Sequence, residues 1–171
     1  LPLPSPTPRR SLPGMNPAVR NVNDGISMLQ TADGALGQIN DNQQRMRELA
    51  VQSANDTLTS TERTYTNQEF GHLIDEIDRV ASVTNYNGMD LLSHNTAAGA
   101  RFGAGGSAGT GSVLWVDANE TVAQDSITIT IDTLTTADTT GLQIVSDVLT
   151  SQTDSVTAIT ALDAAINSVN T

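Results

Sequence analysis

The chain contains no cysteine and no lysine, and only 3 % of its residues are aromatic. Without cysteine, disulfides and thiolate metal sites are excluded, and the redox compartment is left open. Without lysine, all fixed positive charge falls on eight arginines, the last of them Arg101. From Phe102 onward there are acids but no base, and the formal net charge is −11. Such a surface has little electrostatic attraction for DNA, RNA or an anionic membrane. No apolar run approaches the roughly 20 residues needed to span a bilayer, so membrane insertion is not expected. The N-terminus also lacks the basic-then-apolar layout of a cleaved secretory signal, so an exported protein of this kind would use another route. A chain of 171 residues can bury a core. With so little aromatic bulk, long helices packed by small aliphatics fit better than a compact globule.

What is present begins with proline. All six prolines lie between Pro2 and Pro17, and "LPLPSPTPRRSLPG" favours extended, solvated backbone. Residues 1–15 are therefore expected to be a disordered leader outside the fold, with one domain over 16–171. A first helix is predicted from about Val19 to Ala54. Val22, Leu29, Leu36, Gln43 and Ala50 recur every seven residues, with Ala32, Ile39, Met46 and Ser53 as a second row, the seam of a coiled coil. Gly25, Gly34 and Gly37 each cost this helix about 1 kcal/mol relative to alanine, so packing must hold it. Thr59 and Glu62 have the form of a capping box opening a second helix over about 60–84. Its apolar positions are Phe70, Leu73, Ile74, Ile77 and Val80, and Asn87-Gly88 supplies the turn that follows. Loop and β structure is expected over about 86–133. Within it, "SVLWVDA" and the alternating "SITITID", with Ile127, Ile129 and Ile131 on one face, could form a hairpin. Helix returns over about 141–170, as a short piece at Thr139–Thr150 and a last helix capped by Asp154 or Ser155. Val156, Ile159, Leu162, Ile166 and Val169 form its apolar stripe, expected to lie antiparallel against Leu29, Leu36 and Ile39. The fold class is mainly α: an elongated bundle of long antiparallel helices with a small β-hairpin region.

Candidate chemistry is sparse. "GGSAG", Gly105 to Gly109, matches the G-x-S-x-G elbow of a serine hydrolase. That fold needs a strand before the serine and a histidine after it, yet His72 and His94 both precede Ser107, and the surrounding run is low-complexity loop. The two histidines are 22 residues apart in sequence without an HExxH, which gives no metal-ligand pattern. "EIDR", Glu76 to Arg79, reads as a solvated helical ion pair. Asn55 and Asn119 begin glycosylation sequons by pattern. No cofactor is implied, and nothing supports an enzyme.

The residues themselves are recognisable as a family pattern. "RNVNDGISMLQTADGALGQINDNQQRMRELAVQSANDT" resembles the N-terminal core helix of bacterial flagellins. "EIDRVASVTNYNGMDLL" is similar to the end of their second helix and the turn beyond it, and "ALDAAINSVNT" to the start of their C-terminal core helix. The resemblance covers roughly Asn16–Leu92 and Gly141–Thr171. It implies a rod-shaped subunit stacked into the flagellar filament, exported by the flagellar type III apparatus and found outside the cell. Its partners would be other flagellin subunits, an export chaperone, the filament cap protein and the Toll-like flagellin receptor of hosts. Members of the family carry a further helix beyond each end of the matched region, so the chain resembles an isolated core rod. Matching positions imply that Arg45, Leu49 and Glu69 belong to the surface touched by neighbouring subunits or by that receptor, with Arg47 and Glu48 also pointing away from the seam. Two related readings stay open: a hook–filament junction protein, which shares the helical core, and a flagellin-like surface or adhesive protein.

Overall fold

A computed structural model describes residues 15–93, 112–116, 126–129, 131, 134, 142–144 and 148–170. Helix α1 runs from Met15 to Ser53 and α2 from Ser60 to Val83. Two short strands follow, β1 (Asn85–Tyr86) and β2 (Met89–Asp90), then β3 (Ser112–Trp115), β4 (Ser126–Ile129) and helix α3 (Gln152–Val169). At 1.5 Å per residue the 39 residues of α1 span about 58 Å. Both other helices lie along α1, and the core is the seam between them.

Three residues fix the turn from α1 into α2. Thr59 Oγ1 accepts from the Glu62 amide, and the Glu62 carboxylate accepts from the Thr59 amide at 2.8 Å, completing the capping box. Arg63 is buried and donates from Nη1 to the Ser53 carbonyl and from Nη2 to the Asn55 carbonyl at 2.9 Å. The guanidinium thus satisfies the Ser53 carbonyl, which the end of α1 leaves without a helical partner, and adds a bond to the Asn55 carbonyl in the turn. At the other end of α2, Asn87 (φ 52°) and Gly88 (φ 77°) occupy the left-handed region, as a two-residue hairpin turn between β1 and β2 requires.

The buried residues of α1 show how its seam departs from a strict heptad. They are Gly25, Met28, Ala32, Ala35, Ile39, Gln43, Met46, Leu49, Ala50 and Ser53. The row Ala32–Ile39–Met46–Ser53 is as expected, but Leu29 is 43 % exposed and Leu36 only half-buried. Met28 and Ala35 take their places. A helix of 3.6 residues per turn drifts by about 20° per heptad, so a row counted back from Ala50 has rotated by about 60° at Leu29. The extra four-residue step, Ala35–Ile39–Gln43, resets the seam.

The C-terminal part differs more. Leu142–Ile144 and Val148–Thr150 are not helical, and Gln143 has a φ of 53°, which no right-handed helix allows. Residues 139–141 and 145–147 of the expected short helix lie outside the described residues. The described helix starts at Gln152, capped by Ser151, whose hydroxyl accepts from the Asp154 amide at 3.1 Å; neither Asp154 nor Ser155 is the cap. The buried face of α3 is Ser155, Ala158, Leu162 and Ala165, while Ile159, Ile166 and Val169 flank it half-buried and Val156 is 53 % exposed. Small side chains face the seam because they let the helices approach closely.

β3 and β4 pair antiparallel, with Leu114 opposite Ile127 and Ser112 opposite Ile129. The hairpin rests on α1 where Gly25 leaves room for it: a Cβ there would come within 2.6 Å of Leu114 Cδ2. Asn21 Nδ2 donates to the Trp115 carbonyl at 3.0 Å. Ile129 and Ile131 pack against the core, whereas Ile127 is 51 % exposed. The expected leader falls almost wholly outside the described residues, although Met15 is already helical. Among the described residues no helix is long and apolar enough to cross a membrane.

Candidate contact surface

The charged residues near the α1–α2 contact form a built cluster. Arg45 reaches across to α2, where Nε and Nη2 donate to Glu69 Oε1 at 3.0 and 2.7 Å. Its third bond, Nη1 to Glu48 Oε2 at 2.9 Å, closes the triplet along α1. Helical spacing produces this arrangement. Glu48 lies three residues beyond Arg45, and the antiparallel run of α2 brings Glu69 level with them. All three side chains remain about half exposed or more. The hydrogen bond it donates to Glu69, then that to Glu48, pushes the Arg45 pKa further above its ordinary value. Exposed pairs of this kind contribute little to stability. Their geometric value is that a planar guanidinium is fixed between two carboxylates with open edges facing outward.

Leu49, expected on this surface with Arg45 and Glu69, lies beneath it at 1 % exposure. It is one helical turn from Arg45, rotated toward the core, and packs within the apolar cluster that supports the triplet. Arg47 also differs from expectation. It does not simply point outward: Nε donates to Asp163 Oδ1 on α3 at 2.7 Å, and this bond raises the Arg47 pKa. Sequence reasoning missed that pair, because a separation of 116 positions leaves no local pattern. It also missed Arg63. The available signal was that Arg63 occupies the first position of the buried series Arg63, Thr66, Phe70, where a charge needs a partner.

The other candidates stand apart from this cluster. His72 is exposed on α2 and lines an open groove of about 400 Å³ with Asn67, Asp75 and Val148. Glu76 and Arg79 pair at 2.7 Å, and that bond lowers the Glu76 pKa. Asn55 is exposed in the α1–α2 turn, its side chain accepting from the Thr57 amide at 3.2 Å. His94, Ser107 with its GGSAG run, and the Asn119 sequon lie outside the described residues. Among the described residues no three His, Asp or Glu side chains converge as a metal site would require.

Comparison with known proteins adds the family context. A family described as the bacterial flagellin N-terminal helical region matches residues 5–97, which includes part of the proline-rich stretch expected to lie outside the fold. A flagellin of Salmonella rubislaw is 37 % identical over 149 residues, covering 87 % of this chain and 29 % of that protein. A flagellin of Clostridium tyrobutyricum is 49 % identical over 84 residues, covering 49 % of this chain and 22 % of that one. The chain thus spans less than a third of the length of these relatives. The crystal structure of Bacillus cereus flagellin superposes with a TM-score of 0.65 at 31 % identity, covering 88 % of this chain and 77 % of that one.

Proposed function

Since the chain belongs to the bacterial flagellin family, we propose that it serves as the helical rod of a filament subunit outside the cell, giving lateral and axial contacts between copies for motility. The observation that carries this reading is the pairing of a long helical bundle with an exposed, hydrogen-bonded charge triplet at Arg45, Glu48 and Glu69. A rod whose seam is filled internally meets its neighbours through its exposed side chains, apolar ones such as Val51 and Val83 included. Relatives that are all called flagellin do not favour the hook–filament junction alternative. In this reading the partners are other flagellin subunits, with an export chaperone and the cap protein acting before and during assembly. The same exposed triplet is also the surface offered to the Toll-like flagellin receptor of hosts. Arg45 and Glu69 would touch the partner, and Leu49 would hold the helix surface beneath them.

The test places this rod in an assembling flagellin and reverses one charge at a time. Arg45→Glu and Glu69→Arg should each shorten filaments seen by electron microscopy, while the double reversal restores the pair within the subunit. In a receptor reporter assay Arg45→Ala should lower the response. If folded single-reversal subunits assemble to normal length and signal normally, the triplet is not a contact surface.

A further inference from the structure

The side-chain bonds that tie α1 to the rest of the rod gather toward its two ends. Near the N-terminus, Asn21 donates to the Trp115 carbonyl and Gly25 admits Leu114 of the hairpin. Near the C-terminus, Arg45 bonds Glu69, Arg47 bonds Asp163, Ser53 Oγ donates to the Leu149 carbonyl, and the Ser53 carbonyl accepts from Arg63. Between them, among the described residues, no side chain from Ala32 to Gln44 makes a hydrogen bond or an ion pair.

Three features weaken this same stretch. Gly34 and Gly37 are exposed, and a Cβ at either would meet nothing within 4 Å, so no packing repays the poor helix propensity of glycine. Gln43 is completely buried with neither amide atom partnered, and Asn40 buries an unpartnered Oδ1. Each has lost hydration without replacing it, which lowers the stability of the closed state. The third feature is the end of α3. The antiparallel run that sets Arg47 against Asp163 puts Val169, the last residue of α3, level with Asp41. From there toward the N-terminus this side of α1 is thinly covered among the described residues, with Leu36 only half-buried and Leu29 43 % exposed.

We infer that residues 34–43 are a yielding segment, which opens locally while the two ends of α1 stay folded. Local opening occurs where the closed state gives up least. Here it returns the Gln43 and Asn40 amides to water and frees two glycines. The buried apolar side chains it exposes are Ala35 and Ile39. Opening at the C-terminal end would instead break the bonds of Arg45, Arg47 and Ser53 and expose Met46, Leu49 and Ala50. At the N-terminal end the hairpin holds the helix through Asn21 and Gly25. Each end therefore has anchors of its own and does not need an unbroken helix between them. The rod is two folded ends joined by a segment that lets them change angle, a property of the chain itself that does not depend on assembly.

Amide hydrogen exchange of the full chain, followed residue by residue in a urea series below the unfolding midpoint, tests this. Amides of residues 36–44 should be less protected than those of 28–32 and 46–50 by at least about tenfold, and their exchange should depend only weakly on urea, because little surface is exposed in a local opening. Gly34→Ala combined with Gly37→Ala removes the backbone freedom and should slow exchange of residues 36–44 by roughly 25-fold. Gln43→Met, which keeps length and removes the amide, should slow it as well. The inference is overturned if residues 36–44 share the protection and urea dependence of residues 46–50, so that α1 opens only as one unit. It is equally overturned if exchange of residues 36–44 is unchanged in the folded double-alanine variant.

Discussion

Leu162→Ala probes the α1–α3 seam where the structure makes its sharpest statement. Leu162 is fully buried on α3 and stands between Ala158 and Ala165, so its neighbours are too small to collapse into the space it would leave. Removing three carbons forfeits about 2.4 kcal/mol of transfer free energy at about 0.8 kcal/mol per methylene. A residual cavity on the order of 50 Å³ adds about 1.2 kcal/mol. The expected loss is thus about 3–4 kcal/mol, a large part of the roughly 5–15 kcal/mol that holds a domain together. For a chain of this size that corresponds to a fall in Tm of roughly 7–14 °C. Urea unfolding followed by far-UV circular dichroism measures it, with Val156→Ala as the companion. Val156 is 53 % exposed, and alanine is the better helix former, so that change should be within about 0.5 kcal/mol of neutral. A loss below about 1 kcal/mol for Leu162→Ala, or an equal loss for both variants, would refute the assignment of the small-residue face to the seam.

Three further outcomes follow from the same geometry. Arg63→Met removes the charged donor to the Ser53 and Asn55 carbonyls and should lower stability by about 2 kcal/mol, read from the urea midpoint. Gly34→Ala and Gly37→Ala meet nothing within 4 Å and should each stabilise the isolated chain by about 1 kcal/mol; destabilisation would mean that α1 is less regular there than described. Glu62 has its pKa lowered below the ordinary 4.5, chiefly by the hydrogen bond from the Thr59 amide. A depressed folded pKa means that the unfolded chain takes up the proton first. The contribution is therefore complete above about pH 4.5 and is lost as pH falls through the folded value. Comparison with Glu62→Gln isolates it from the relief of general charge repulsion: the advantage of the parent in Tm should shrink on acidification through that window.

Legibility in the sequence tracked how local each cause was. The Thr59–Glu62 box is contained in four residues, and the structure forms it as read. The Asn87-Gly88 turn is likewise short and demands left-handed backbone, which its two residues supply. The pairing of "SVLW" with "SITI" joins two strand-like runs near each other in the chain, only the second of them strictly alternating, and the structure forms the hairpin they suggest. The phase of a long seam is a different kind of quantity. An error of about 20° per heptad accumulates, so Ala50 was placed correctly and Leu29 was not. The face of α3 was misjudged because hydrophobicity favours Val156 and Ile159, whereas close approach of two helices favours Ser155 and Ala158. Of the proposed contact surface, the family resemblance supplied Arg45 and Glu69, but only packing could show that Leu49 lies under them. The Arg47–Asp163 bond depends on the register of two helices far apart in the chain, and no local pattern encodes it.

The central claim is that this rod forms a flagellar filament, and replacing the matching region of an assembling flagellin with residues 15–170 tests it directly. The hybrid would be expressed in a bacterium that lacks its own filament protein. Filaments on the cell surface, with a regular helical repeat by electron cryomicroscopy and with α1, α2 and α3 packed as described here, are the predicted result. A hybrid that is exported and folded yet leaves the cells bare, with only unassembled protein in the medium, would contradict the account.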